Sequence, residues 1–387
     1  MSWNKVKLGD VCEIYGGTTP ATSNFEYWNG STIWLSPTDL PEIGEISNVF
    51  DSERRITEKA IRECSLKIIP TGSVVYSTRA SIGKIGIAET PLTTNQGFAN
   101  FICNGKVFNK FLCYALKYYT PQISKLGNST TFAEVSRTNI RNFFIPLPAF
   151  STQQKIAAIL DKADELRRKD KALLARYDAL LQSIFYKMFG DPVKNEKGWE
   201  KGSLSKILFV DRKIIKPNDF TGNEIYIGLE HLEKETGEIL DKSNVEKAEL
   251  KSTKFIFSSS HILYGKLRPY LNKVSLPDFN GICSTDILPV LPKEKLGNKY
   301  FIGALLRQNH FVDFATKSAV GANLPRVNAN TLEDYVSIHP PITLQNQFAA
   351  IAQNINQQKF QIKQKSEQSD NLFQSLLQKA FKGELVK

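Results

Sequence analysis

Gln153-Gln154-Lys155-Ile156-Ala157-Ala158-Ile159-Leu160 returns as Gln345-Asn346-Gln347-Phe348-Ala349-Ala350-Ile351-Ala352, and Gln182-Ser183 with Phe189 returns as Gln374-Ser375 with Phe381. The offset is 192 residues at every point, so a whole helical stretch recurs without an insertion. A repeat of this length fixes the architecture before any single residue does. Outward from the helices the relation loosens. Trp3 and Leu8 match Trp199 and Leu204 at an offset of 196, Val75-Tyr76 matches Leu263-Tyr264 at 188, and Asn109-Lys110-Phe111-Leu112 matches Asn298-Lys299-Tyr300-Phe301 at 189. Insertions are tolerated in the globular parts and not in the helices, which implies that helix length and phase matter.

The chain of 387 residues has room for two or three domains. Its 41% hydrophobic and 23% charged content is that of a folded soluble protein. The net charge of +11 points to an acidic partner, nucleic acid first, with an anionic membrane or an acidic protein as alternatives. No apolar run reaches membrane-spanning length, and the amino terminus lacks the order of a signal peptide. Cys12, Cys64, Cys103, Cys113 and Cys283 are scattered and read as reduced thiols of a cytoplasmic protein. The four histidines are isolated, so local spacing assembles no metal site.

Four segments emerge: residues 1–150 and 191–342 as α+β globular domains, and residues 151–190 and 343–387 as long helices. In the first domain Ser73–Tyr76 and Asn142–Ile145 read as strands, with one short helix near Lys110–Tyr119. Pro146-Leu147-Pro148 and Pro340-Pro341 close the two domains. The first helix places Ile156, Ile159, Ala163, Leu166, Leu173, Tyr177, Leu180 and Ile184 at coiled-coil spacing, with Asp170 on the same seam. Gly190-Asp191-Pro192 stops it. The second helix carries Phe348, Ile351, Ile355, Ile362, Leu372 and Leu376, interrupted by Gln358, Lys365 and Ser369, a stripe too narrow to be buried alone. Two such helices, each about 55 Å long at 1.5 Å per residue, pack most simply antiparallel. The expected fold is therefore α+β, with two globular domains in a pseudo-two-fold arrangement separated by an antiparallel coiled coil.

Catalytic signatures are missing. Gly83-Lys84, Gly105-Lys106 and Gly265-Lys266 are not followed by Ser or Thr, so there is no P-loop. Pro277-Asp278 has no accompanying Asp/Glu-x-Lys, and His339-Pro340-Pro341-Ile342 lacks the side-chain amide of an amino-methyltransferase motif. Each domain instead offers polar, basic loops. In the first, Thr78, Arg79, Ser81 and Lys84 precede Asn95 and Gln96, with Thr131 in a later loop. Arg79 and Lys84 suit phosphates or guanine, and Asn95 and Gln96 suit adenine. In the second, Lys266, Arg268, Tyr270, Asn272 and Lys273 precede Thr285 and Asp286, and Asn323 and Arg326 follow. Asp286 suits cytosine N4 or the orientation of Arg268. The bland alternative is that the charges are solvated and Asn95 is a turn residue.

Arg79-Ala80-Ser81-Ile82-Gly83 followed by Thr94-Asn95-Gln96-Gly97-Phe98 resembles the target-recognition domains of type I restriction-modification specificity subunits. So do Lys266-Leu267-Arg268-Pro269-Tyr270 followed by Ile282-Cys283-Ser284-Thr285-Asp286, Ala322-Asn323-Leu324-Pro325-Arg326, and Met188-Phe189-Gly190-Asp191-Pro192. Any one motif is weak, but together and in order they cover nearly the whole chain. The resemblance implies a non-catalytic, DNA-reading subunit, each domain taking one half of a split, asymmetric site. It implies helices that set the gap and dock two methyltransferase subunits, with restriction subunits joining them. S-adenosylmethionine, ATP and Mg would belong to those partners, and no cofactor to this chain. The polar second helix departs from the usual pattern. Two other classes compete: a coiled-coil scaffold whose basic heads bind acidic proteins, and a self-contained enzyme with a dispersed active site.

Overall fold

The computed structural model describes residues 3–127, 134–242 and 251–386. The chain folds as two compact units, residues 1–171 with 364–387, and residues 172–363. Each long helix, Phe150–Phe189 and Ile342–Lys382, therefore contributes one half to each unit.

Among the described residues of the first unit, a five-stranded sheet runs in the order Cys12–Gly16, Phe98–Cys103, Val74–Ser77, Ile85–Ala88, Ile46–Val49, antiparallel except for its last pair. A three-stranded sheet (Arg54–Ile56, Trp28–Leu35, Leu92–Thr94) lies beside it in the unit. A short antiparallel pair, Lys5–Lys7 with Phe144–Pro146, closes the domain. The expected helix near Lys110 is longer than the sequence suggested, Asn109–Ser124, and Asn142 ends a helix, Arg137–Asn142, instead of beginning a strand. The second unit follows the same plan with two four-stranded sheets and the pair Lys201–Ser203 with Val336–Ile338.

In each unit the core is built on the long helices. Ile156, Leu160, Phe373, Leu377 and Phe381 pack with Tyr76, Phe101 and Phe111 in the first. Phe185, Phe189 and Phe348 pack with Tyr264, Phe301 and Phe311 in the second. A fully buried Phe is worth about 2–3 kcal/mol, so these aromatic clusters fasten the domains to their helices. The first helix ends at Gly190, whose φ of +74° is the left-handed conformation that terminates helices, and Gly383 does the same for the second at +78°.

Within the first unit the helix halves run antiparallel, Arg167 pairing with Asp370 and the Ser369 hydroxyl donating to Asp170 at 2.9 Å. Within the second, Lys359 pairs with Asp178 at 2.6 Å. At an offset of 192, Lys359 is the counterpart of Arg167 and Asp370 that of Asp178, so the same ion pair is made twice. The helix seam differs from the sequence expectation. Leu166, Leu173, Leu180, Ile351 and Leu372 are exposed, because the inward stripe passes through Ala163, Arg167, Asp170, Leu174 and Leu181. Polar pairs thus occupy the middle of the helices, Asp170 on the seam where the heptad placed it and Arg167 in place of its neighbour Leu166.

The repeated glutamine explains the invariant offset. Gln153 is buried and accepts from Phe108 N at 2.8 Å while its Nε2 donates to Lys106 O at 3.0 Å and Pro148 O at 2.9 Å. Gln345 is equally buried, accepting from Asn298 N at 2.9 Å and donating to Leu296 O and Pro340 O at 3.2 and 2.8 Å. One carboxamide satisfies three backbone groups that no other side chain of that length could meet together. Gln153→Ala leaves them unpaired and should cost about 2–4 kcal/mol. Urea unfolding should show a clear fall in midpoint for Gln153→Ala and none for the exposed neighbour Gln154→Ala; equal midpoints would contradict the clamp.

Candidate nucleic-acid interface

Each unit brings three loops together at the end of its main sheet. In the first, Thr78 N donates to Gly97 O at 2.8 Å, Val135 N to Thr78 O at 2.9 Å and Ser77 N to Lys84 O at 2.9 Å. In the second, Lys266 N donates to Asp286 O at 3.0 Å, Val327 N to Lys266 O at 3.0 Å and Gly265 N to Lys273 O at 2.8 Å. The same three bonds hold two loops of unrelated sequence. Even the left-handed residues correspond, with Ala80 (φ +59°) and Gly83 (+106°) in one loop and Arg268 (+52°) and Asn272 (+49°) in the other. A non-glycine residue persists there only where its surroundings enforce it.

Several of the polar residues singled out from sequence serve this framework. Lys84 Nζ donates to Pro37 O and Leu40 O, each at 3.0 Å, and Lys273 Nζ donates to Leu229 O at 2.7 Å. Both ammonium groups anchor their loop to a preceding turn and are spent on the fold, and burial lowers the Lys273 pKa. Thr78 is buried with its hydroxyl toward Gly97 O. The Asn95 side chain accepts from Gly97 N at 2.9 Å, the turn role that competed with adenine reading. Asn272 is buried and donates to Arg307 O at 3.2 Å, and the Ser81 carbonyl accepts from the Ser77 hydroxyl. Thr131 lies outside the described residues.

The remaining candidates face solvent. In the first unit these are Arg79, 3.7 Å from Glu134, and Gln96, whose Oε1 accepts from the Thr19 hydroxyl. In the second, Arg268, Tyr270, Thr285, Asn323 and Arg326 are exposed and Lys266 is half-buried. Asp286 does not orient Arg268. It accepts from Arg326 Nε at 3.0 Å, with Lys266 Nζ 4.0 Å away, and this partnership raises the pKa of the Arg326 guanidinium.

Sequence reasoning passed over the Gly16-Gly17-Thr18-Thr19 segment, although paired glycines signal close backbone approach. A Cβ on Gly17 would lie 2.1 Å from Thr94 O and Asn95 O, and the Arg137 guanidinium packs over Gly16. That approach is what carries Thr19 to Gln96. Arg137 and Arg212 are both exposed. Among the described residues, no group of His, Cys, Asp and Glu could hold a metal ion and no helix is long and apolar enough to cross a membrane.

The type I restriction modification DNA specificity domain profile matches residues 1–176. The type I restriction enzyme MjaIX specificity subunit of Methanocaldococcus jannaschii is 32% identical over 377 residues, spanning 91% of this chain and 86% of its own length. The EcoDI specificity subunit of Escherichia coli is 26% identical over 318 residues, spanning 72% and 70%. Among solved structures, an S subunit of a type I restriction-modification system from M. genitalium superposes with a TM-score of 0.59 at 14% identity, covering 98% of this chain and 96% of that one. A chain from a study of type I complex assembly and conformational transition gives 0.56 at 16% identity, covering 99% and 98%. At such identities the two structures speak for the fold.

The anchoring role of the lysines is testable by hydrogen exchange. Lys84→Met and Lys273→Met each remove charged hydrogen bonds worth roughly 2–3 kcal/mol, so amides of 77–86 or 265–274 should exchange at least tenfold faster. Arg268→Ala should leave exchange unchanged, and faster exchange there would give Arg268 a structural role as well.

Proposed function

Because this chain belongs to the specificity subunits of type I restriction-modification systems, we propose that it reads a split, asymmetric DNA site, one half-site per globular domain. The observation that carries this reading is the duplicated loop cluster, in which the same backbone hydrogen bonds are made twice while the side chains differ. Arg79 corresponds to Leu267, Ala80 to Arg268, Gly97 to Asp286 and Glu134 to Arg326. Frames held by the same hydrogen bonds but carrying different donors and acceptors suit two readers of two different sequences. The basic balance of the chain supplies the salt-dependent attraction to phosphate.

The chain is read as non-catalytic. Adenine methylation, with S-adenosylmethionine, is assigned to two methyltransferase subunits, and ATP- and Mg-dependent translocation and cleavage to restriction subunits. Leu180 in the second unit and its counterpart Leu372 in the first are 46% and 49% exposed, and such leucines on otherwise polar helices favour a partner's apolar surface. The recurrence of the position supports two copies of one partner. The long helices, about 60 Å each at 1.5 Å per residue, are assigned the unread gap between half-sites.

Duplex binding by the full chain with its partners should weaken steeply with salt, which an acidic-protein scaffold would not show. Arg79→Ala should weaken recognition of one half-site and Arg326→Ala that of the other, each by about tenfold or more. Loss of the same half-site in both variants would overturn the two-reader assignment. Leu180→Asp and Leu372→Asp should reduce co-purification of the methyltransferase subunit while leaving the unfolding midpoint within about 0.5 kcal/mol of the parent; undiminished co-purification would remove these leucines from the docking surface.

A further inference from the structure

The second unit holds one arginine in a way that the first does not. Arg326 is fixed through its backbone, since Arg326 N and O exchange hydrogen bonds with Val320 O and N, each at 3.0 Å. Leu267 pairs with Arg326 as an antiparallel bridge, and the next residue, Val327, is tied to Lys266. The side chain is fixed too. Nε donates to Asp286 Oδ1 at 3.0 Å, the second terminal nitrogen lies 3.5 Å from Oδ2, and the first approaches Leu324 O at 3.4 Å. Asp286 is itself held, its N donating to the Ser284 hydroxyl at 3.2 Å and its O accepting from Lys266 N.

We propose that Asp286 is a positioning residue that presents Arg326 to a guanine in one half-site, while Arg268 serves the phosphate backbone. This inference rests on the assignment of the loop cluster as a DNA-reading surface. A guanidinium carries five N–H donors in a planar fork. With a carboxylate along its Nε edge, the outward protons of the two terminal nitrogens remain for a pair of acceptors, the geometry of guanine O6 and N7. The same carboxylate argues against a phosphate ligand at Arg326, because it already offsets the guanidinium charge and would repel a second anion across it. Arg268 differs in kind. It is exposed, stands on a left-handed backbone and has no carboxylate partner among the described residues, which leaves its full charge for a phosphodiester. The first unit has Gly97 and Glu134 at the positions of Asp286 and Arg326, so the device belongs to one half-site alone.

The test is selection from a random duplex library by the full chain in complex with its co-purifying subunits, comparing the parent with Arg326→Ala, Asp286→Asn, Asp286→Glu and Arg268→Ala. Arg326→Ala and Asp286→Asn should both lower the preference for G at the same single position of one half-site by about tenfold or more. Asp286→Glu should retain most of that preference, and every other position, including the whole second half-site, should be unchanged as an internal control of folding. Arg268→Ala should weaken all sequences alike and flatten the salt dependence. The proposal is overturned if Asp286→Asn changes nothing, if it alters a different position from Arg326→Ala, as direct reading of cytosine by Asp286 would, or if Asp286→Asn and Asp286→Glu both abolish the entire half-site, as a purely structural role would. A parent complex that selects no motif would instead overturn the DNA-reading assignment itself.

Discussion

Everything in each unit is referred to one buried carboxamide at the start of a long helix. Gln153 and Gln345 each close three backbone hydrogen bonds between the helix, the proline-rich segment before it and the loop that leads into the domain's own helix. A shift of the helix by one residue would turn that side chain by about 100° and strand all three groups. Helix phase is therefore locked to the domain. Phase locking is why the 192-residue offset persists through both helices while the domains drift between 188 and 196.

The two units then divide their residues into those kept and those exchanged. Lys84 and Lys273 keep the same anchoring bond, and Gln153 and Gln345 keep the same clamp. Arg167 with Asp370 and Lys359 with Asp178 keep the same ion pair. These are framework. Of the positions that changed chemistry, Gly97 is buried where Asp286 is half-exposed, and Glu134 and Arg326 are both exposed. A frame held by the same backbone hydrogen bonds lets side chains be exchanged without remaking the loop, as the proposed pair of readers of different sequences requires.

Much of this was legible in the chain itself. The repeat, the two α+β domains, the long helices and their stop at Gly190 follow from periodicity and punctuation, because those signals are local. The seam holds at Ala163 and Asp170 but not at Leu166, Leu173 and Leu180, since heptad counting cannot know that Arg167 will find an ion-pair partner across the helix pair. The site was half legible. Basic loops were visible, but whether Lys84 points to solvent or to Pro37 O depends on a turn 47 residues away in sequence. Comparing the halves against each other would have helped: a lysine present in both was the one to assign to the framework.

The proposed function turns on two differently sequenced readers built on one duplicated frame. Mapping methylated adenines across a genome that carries this chain with its methyltransferase tests it most directly. The account predicts one bipartite motif with two unlike halves separated by a constant number of unread base pairs. A palindromic or continuous motif, or halves at variable spacing, would contradict it.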